Sequence, residues 1–254
     1  MDKNRISEIL EEAYKRERSI KVVPPLEPSR RQYDEKIVAW FDVLGMRKRI
    51  HDYEKHDAEE ILTTMGTFQN YVRNSCEGLD IKFMQISDGF ILVSEFNYLK
   101  EICEILCQIQ WKILINDKML LRGAITSGKI SITDDEQKLV VGPAFVEAFS
   151  MESENAIFPR IIVSSNLNSF IKFDYLVEDS DHLYFLDFLT YVIEIEDYNI
   201  RQLTHILQTT KVIDFLQTGY NENIKVNMRI AQKYGWVIEK LSAKKIKVLQ
   251  EKGV

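Results

Sequence analysis

The chain has 254 residues, with 33 Lys and Arg against 39 Asp and Glu, so its formal net charge at pH 7 is −6. Hydrophobic residues make up 45% of it and charged residues 28%, which excludes the weakly hydrophobic, highly charged class of disordered proteins. The acidic balance argues against broad binding of nucleic acid or of an anionic membrane, because both select basic surfaces. It leaves room for one small anionic ligand in a local basic pocket.

The N-terminus and the cysteines indicate a cytoplasmic protein without a membrane partner. Residues 1–19 carry too many charges for a signal peptide, and no apolar run approaches the roughly 20 residues of a membrane span. Of the three cysteines, Cys103 and Cys107 lie four residues apart on an apolar helical stripe, and the four histidines are scattered. We therefore expect buried free thiols rather than a zinc site.

The first predicted element is a charge-rich amphipathic helix over residues 1–22, followed by a proline-rich linker. A buried strand over 36–43, a helix over 58–75, two strands over 81–95 with a turn at Ser87-Asp88-Gly89, and a helix over 99–114 follow. Residues 120–132 predict two strands that bend around Gly123 and Gly128, and residues 142–155 predict a helix. A strand at 160–164, further β structure across 181–197, and helices from residue 200 complete the chain.

This order of elements, β-α-β-β-α-β, favours an α+β sandwich of ferredoxin-like or palm type. We assign residues 1–35 to an N-terminal helix and linker, residues 36–195 to the core domain, and residues 196–254 to a C-terminal helical extension. The lysine-rich end of that extension is interpreted as a solvated helix end, with a nucleic-acid patch as the alternative.

Two aspartates lie where an apolar core disfavours them. Asp42 ends a hydrophobic strand and is followed by Leu44-Gly45, and Asp88 lies in a turn between two apolar strands. Each aspartate alone is also explained as a helix cap or a turn residue. As a pair at one edge of a sheet, the two carboxylates would form a hard oxygen site for Mg²⁺ or Mn²⁺.

Arg122 lies inside the apolar strand sequence LLRGAITSG, where an unpaired guanidinium is costly. A phosphate or a carboxylate that accepts two hydrogen bonds would stabilise it there. The alternative is a structural ion pair with an acidic residue of the core.

These features together resemble class III nucleotidyl cyclases. In that family a strand ends in Asp-x-x-Gly, a hairpin carries a second aspartate, a Leu-Arg strand runs to a glycine, and a glycine-led helix ends in Met-Glu. The matching segments here are Asp42-Val43-Leu44-Gly45, Ser87-Asp88-Gly89, Leu121-Arg122 through Gly128, and Gly142 through Met151-Glu152. Their order and spacing match over about residues 36–165.

The resemblance implies a palm-type cyclase core and a role for each matching residue. Asp42 and Asp88 would be the catalytic carboxylates that hold two divalent ions, Mg²⁺ or Mn²⁺, with help from the backbone carbonyl of Val43. The substrate phosphates would contact Arg122 and the turn made by Gly45, Met46 and Arg47. Arg47 and the neighbouring Lys48 are equally well explained as a solvated helix face.

The departures from the family pattern point to the base. The family's transition-state Asn and Arg correspond to Val146 and Ser150, so we consider Arg160 as a replacement on its charge alone. Met84 and Leu139 stand at the positions that read a purine, and they become candidates for the base pocket.

This subset of features resembles the pyrimidine cyclases of the Pycsar antiphage systems. That resemblance implies synthesis of cyclic UMP from UTP, with cyclic CMP from CTP as the alternative, and a downstream effector that senses the product. It also implies a homodimer with shared active sites, supported by the added terminal helices.

Three other functions remain open. A catalytically silent nucleotide sensor would explain Val146 and Ser150. A palm-type polymerase or diguanylate cyclase also uses two carboxylates, although the chain lacks the basic channel that a template needs. A purely structural interaction module would leave Asp42, Asp88 and Arg122 unexplained.

Overall fold

The structure is a computed structural model of the chain, and it describes residues 32–52, 54, 57–133 and 139–244, except for the side chains of Arg47 and Lys48. The predicted helix over residues 1–22 and the end of the lysine-rich tail lie outside the described residues. Among those that are described, no helix combines the length and the apolar character needed to cross a bilayer.

The strands, in chain order, are β1 (Asp34–Val43), β2 (Ile81–Ile86), β3 (Gly89–Ser94), β4 (Leu121–Ile132), β5 (Val140–Val141), β6 (Ile161–Val163), β7 (Leu176–Glu178) and β8 (Tyr184–Leu186). The helices are α1 (Met46–His51), α2 (Ala58–Ser75), α3 (Leu99–Asp117), α4 (Pro143–Asn155), α5 (Ser165–Asn168), α6 (Phe188–Glu194), α7 (Ile200–Thr209), α8 (Val212–Asn223) and α9 (Met228–Ala243). A short 3₁₀ turn, Phe96–Tyr98, precedes α3.

The eight strands of the described residues form one sheet in the order β2-β3-β1-β4-β6-β8-β7, with β5 paired to β4. β1 lies at the centre and runs antiparallel to both β3 and β4, whereas β4 and β6 are parallel. A central strand is covered on both faces, which explains why β1 is an almost continuous apolar run.

Alternate residues of β1 point to opposite faces of the sheet. Ile37, Ala39 and Phe41 belong to the larger hydrophobic core, which α2, α3 and α6–α9 cover. Val38 and Trp40 belong to a smaller cluster on the other face, where α4 packs against β1 and β4. The parity of the strand places Asp42 on this second, more thinly covered face.

β4 corrects one expectation. It is a single strand from Leu121 to Ile132, and its pairing with β1 runs without interruption from Val43↔Leu121 to Asp34↔Ile130. Gly123 marks a close approach of the two strands instead of a bend, because a Cβ there would lie 2.6 Å from the carbonyl oxygen of Trp40.

The segment after β8 corrects the prediction of continuous β structure across residues 181–197. Residues 188–194 form α6 instead of a strand, with Asp187 as the N-cap that accepts hydrogen bonds from the amides of Leu189 (3.1 Å) and Thr190 (3.3 Å). Its residues from Phe188 to Val192 are all buried, so the sequence shows a short apolar run without the periodicity that separates helix from strand.

Candidate active site

The pairing of β1 with β4 brings Asp42 and Arg122 directly opposite each other on one face of the sheet. Arg122 donates two hydrogen bonds to the Asp42 carboxylate, from Nε to Oδ1 at 3.0 Å and from Nη2 to Oδ2 at 3.1 Å. This two-pronged geometry is the strongest form of an arginine–carboxylate pair.

Glu152 of α4 adds a second carboxylate to the same guanidinium. Its Oε1 lies 2.6 Å from Arg122 Nε but has no hydrogen-bond partner, while its Oε2 accepts a hydrogen bond from Trp40 Nε1 at 3.3 Å. We call Asp42, Arg122 and Glu152 the Arg122 cluster. Two carboxylates share one guanidinium, so the cluster holds excess negative charge.

The environment of the Arg122 cluster shifts the pKa of all three groups. Burial raises the pKa of Glu152 to about 7, and the neighbouring Asp42 charge acts in the same direction. Burial also raises the pKa of Asp42, although the hydrogen bond from Arg122 opposes it. Burial acts to lower the pKa of Arg122, but the hydrogen bond to Asp42 and the two carboxylate charges raise it. Charge-bearing groups with such shifts are typical of functional sites.

Asp88 reaches the same place through the β2–β3 hairpin. Asp42 is paired with Gly89 in the sheet register, and the Val43 amide donates to the Asp88 carbonyl at 3.4 Å. The Trp40 ring lies over Gly89 and leaves no room for a side chain there, because a Cβ would lie only 2.1 Å from that ring. The charge of Asp88 contributes to the raised pKa of Asp42.

Five predicted site residues line one cavity of about 650 Å³: Asp42, Val43, Gly45, Asp88 and Arg122. Gly45 has φ +90°, a left-handed conformation that lets the chain turn directly from β1 into α1. The turn therefore places backbone beside the two carboxylates, as the proposed phosphate contact requires.

The other predicted residues lie elsewhere. The Met46 side chain is buried in the larger core and lines a neighbouring cavity. Met84 is buried in the smaller cluster beside Trp40 and lines a cavity at the β2 edge, and Leu139 is exposed before β5. The Arg47 side chain lies outside the described part.

The assignment of Arg160 as a transition-state residue is wrong, because Arg160 does not line the cavity that holds Asp42 and Asp88. Its side chain is fully buried and forms ion pairs with Asp179 and Asp181. Asp179 also accepts hydrogen bonds from Trp236 Nε1 (2.9 Å) and Lys240 Nζ (2.7 Å) of α9. We call these five residues the Arg160 cluster, and they join α9 to the sheet away from the cavity.

The cavity residues that sequence reasoning did not assign to the site include Trp40, Glu152 and Lys233. Trp40 lies two residues before the Asp42 segment and Glu152 ends the last matching segment, so strand parity and helix spacing could have placed them on the Asp42 face. Lys233 lies on α9, far along the chain, where no local pattern distinguishes it from the other lysines.

The donor set fits hard divalent cations in type. Asp42 and Asp88 offer carboxylate oxygens, Val43 can add a backbone carbonyl, and Glu152 Oε1 is a buried oxygen without a hydrogen-bond partner. The described residues contain no cluster of three or more His, Cys, Asp or Glu arranged to hold a metal ion, so water and ligand oxygens would complete the coordination.

Comparison with known structures gives the fold. The chain is similar to the monomeric guanylyl cyclase domain of the RhoGC fusion protein from the aquatic fungus Blastocladiella emersonii, with TM-score 0.51 and 16% identity over 61% of this chain and 95% of that one. A double mutant of the same domain matches with TM-score 0.50 and 15% identity over 61% of this chain and 94% of that one. The sequence matches no protein-family model and no curated protein.

The fold predicted from the sequence, an α+β palm-type core with added C-terminal helices, is thereby confirmed, while the predicted N-terminal helix lies outside the described residues.

Proposed function

We propose that the protein is a nucleotidyl cyclase that converts UTP to 3′,5′-cyclic UMP and pyrophosphate. The supporting observation is that Asp42, Asp88 and Arg122, which resemble a cyclase motif set, line one cavity on a cyclase fold. In the reaction the ribose 3′-oxygen bonds to the α-phosphorus, the bond to the β-phosphate breaks, and the 3′-hydroxyl proton is released.

The residues of the cavity supply binding and orientation. Asp42 and Asp88 would hold two divalent ions, which when bound would activate the 3′-hydroxyl and neutralise phosphate charge. Arg122 exchanges its contact with Asp42 for a phosphate, to which a guanidinium donates in the same two-pronged geometry. Gly45, Met46 and Arg47 would present backbone and charge to the phosphates at the start of α1.

The choice of a pyrimidine rests on the resemblance, which puts Met84 and Leu139, residues without purine-reading hydrogen bonds, at the base-reading positions, although neither lines the cavity that holds Asp42 and Asp88. Cytidylate cyclase activity is the alternative, with CTP as substrate. We further propose that the product is an antiphage second messenger sensed by a downstream effector, and that the enzyme works in the cytoplasm, where nucleoside triphosphates are available.

A homodimer with shared active sites is part of the proposal. Phe149 and Ile86 line the cavity and are about half exposed, and Val146 lies one helical turn from Phe149 at 61% exposure. Such an apolar rim is typical of an interface. Sedimentation velocity should give a dimer, and Val146→Asp should shift it toward monomer and lower activity; a fully active monomer would contradict this point.

The decisive experiment offers UTP, CTP, ATP and GTP singly and in competition, with Mn²⁺, and identifies products by mass spectrometry. We expect cyclic UMP and pyrophosphate, with loss of product in Asp42→Asn and Asp88→Asn. Asp80→Asn, an exposed aspartate just before β2, is the matched control and should retain activity.

The other outcomes separate the alternatives. Cyclic CMP as the sole product would show that CTP and not UTP is the substrate, and the proposed cyclase activity would stand. Nucleotide binding without any product would favour a silent sensor, the function that Val146 and Ser150 support. Unchanged turnover in Asp42→Asn would overturn the proposed site.

A further inference from the structure

The C-terminal helix α9 carries a lysine to the cavity that holds Asp42 and Asp88. Lys233 lies half-buried in α9 and lines this cavity together with Asp42, Asp88 and Arg122. It also lines the neighbouring cavity, which it shares with Val43, Leu44 and Gly45. Lys233 therefore lies beside the turn where the substrate phosphates are proposed to bind.

Among the described residues, the Lys233 ammonium forms no salt bridge. Burial lowers the pKa of Lys233, and the Arg122 charge adds to the effect, while the charges of Asp42 and Glu152 oppose it. A half-buried cation that lines the same cavity as another cation is stabilised by an anion bound in that cavity.

Contacts made by other residues of α9 and its C-cap hold Lys233 at the cavity. Trp236, three residues on, stacks on Phe158 at a centroid distance of 5.9 Å and donates to Asp179. Lys240 donates to the same carboxylate, and Lys244 Nζ lies 3.2 Å from Asp187 Oδ2. These contacts attach α9 to the sheet, so Lys233 is held at the cavity instead of moving freely as a surface lysine does.

We propose that Lys233 contacts the β- and γ-phosphates of the bound triphosphate and the pyrophosphate that leaves. This inference rests on the proposed function and extends it, because it makes the C-terminal helical extension part of the substrate site. Lys233 and Arg122 would hold the phosphates from two sides, with the two aspartates and their ions on a third. Lys233 would then supply, from within the same chain, part of the positive charge that Val146 and Ser150 do not provide.

The test measures pyrophosphate binding directly, by calorimetry with Mn²⁺ present. Lys233→Met should weaken binding about tenfold or more, since a charge-assisted hydrogen bond is lost. Lys233→Arg should bind within about threefold of wild type, because the cation remains. Arg229→Met removes the same charge one turn away at an exposed position of α9 and should leave binding unchanged. Near-UV circular dichroism checks that each variant is folded.

A kinetic measurement separates this inference from the proposed function. If the wild type makes cyclic nucleotide, Lys233→Met should raise the KM for the triphosphate and lower kcat, and Lys233→Arg should restore both. Weaker pyrophosphate binding by Lys233→Met in a protein that makes no product would support the phosphate contact and contradict the cyclase. Wild-type pyrophosphate affinity in Lys233→Met, or no pyrophosphate binding by the wild type, would overturn the contact whatever the cyclase assay gives.

Discussion

The Arg122 cluster and the Arg160 cluster contain the same chemistry in two different surroundings. Each has an arginine next to an apolar strand and two carboxylates that neutralise it. The Arg160 side chain is 0% exposed and surrounded by protein, whereas Arg122 is 26% exposed and faces a cavity. Only Arg122 has room to exchange a carboxylate for a ligand. A buried arginine thus indicates a binding site only where one side of it remains open.

The largest expected effect is on stability, at the closed cluster. Arg160→Met should lower the free energy of unfolding by about 3–5 kcal/mol, because Asp179 and Asp181 lose a buried partner. Urea unfolding followed by circular dichroism measures this change. Arg73→Met, on the exposed face of α2, is the control and should change stability by less than about 0.5 kcal/mol. A loss below about 1 kcal/mol for Arg160→Met would remove the distinction between the clusters.

At the open cluster the effect should fall on activity instead. Arg122→Met should reduce cyclic nucleotide formation about 100-fold or more, because the phosphate loses its two-pronged donor. Its unfolding free energy should fall less than that of Arg160→Met, because Asp42 faces the cavity and the buried Glu152, with its pKa raised to about 7, can take up a proton when its partner is lost. The activity of Arg122→Lys should lie between that of Arg122→Met and that of the wild type. Equal losses of stability in Arg122→Met and Arg160→Met would show that both clusters are structural.

Glu152 should make stability depend on pH. Its pKa is about 7 in the folded protein against 4.5 unfolded, so the unfolded state ionises first as pH rises and stability falls between these values. Relative to Glu152→Gln, the wild type should lose about 1–2 kcal/mol between pH 5 and pH 8, allowing for solvent screening. Urea titrations at both pH values measure the difference, with the exposed Glu154→Gln as control. A constant difference would contradict the assigned environment.

The smallest effect should come from the exposed edge of the Arg160 cluster. Asp181 is 39% exposed, and Arg160 holds its pKa below the usual value against the opposing effect of burial. Asp181→Asn should cost about 0.5–1 kcal/mol at neutral pH. Because the lowered pKa stabilises the ionised form, this cost should shrink as pH falls through the folded pKa. A cost as large as that of Arg160→Met would place Asp181 in the buried part.

Much of the fold follows from local pattern. The helix predicted over residues 58–75 has those bounds in the structure, and the β2–β3 hairpin turns at Ser87-Asp88 as expected. Strong periodicity and turn residues carry this information over short distances. The predicted bend in β4 is wrong because Gly123 serves a close contact with β1, a strand about 80 residues away in the chain, and Gly128 lies against Ala144 of α4.

The residues of the candidate site also fall into those that local sequence predicts and those that depend on distant packing. Asp42, Asp88 and Arg122 interrupt apolar strands, and that local conflict identifies them from sequence alone. Whether Arg122 or Arg160 has an open side that faces a cavity depends on packing between distant elements, which the local pattern does not encode. The position of Lys233 at the cavity depends on the packing of α9, whose Trp236 and Lys240 bind Asp179. No pattern within the α9 sequence predicts this packing.

The placement of Trp40 has a practical consequence. Trp111 and Trp236 belong to the larger core, whereas the Trp40 indole lies over Gly89, borders the cavity and donates to Glu152. Its fluorescence should therefore respond when the cavity fills, through the altered charge beside the ring. The chain contains its own optical reporter, and comparison of the wild type with Trp40→Phe isolates its emission.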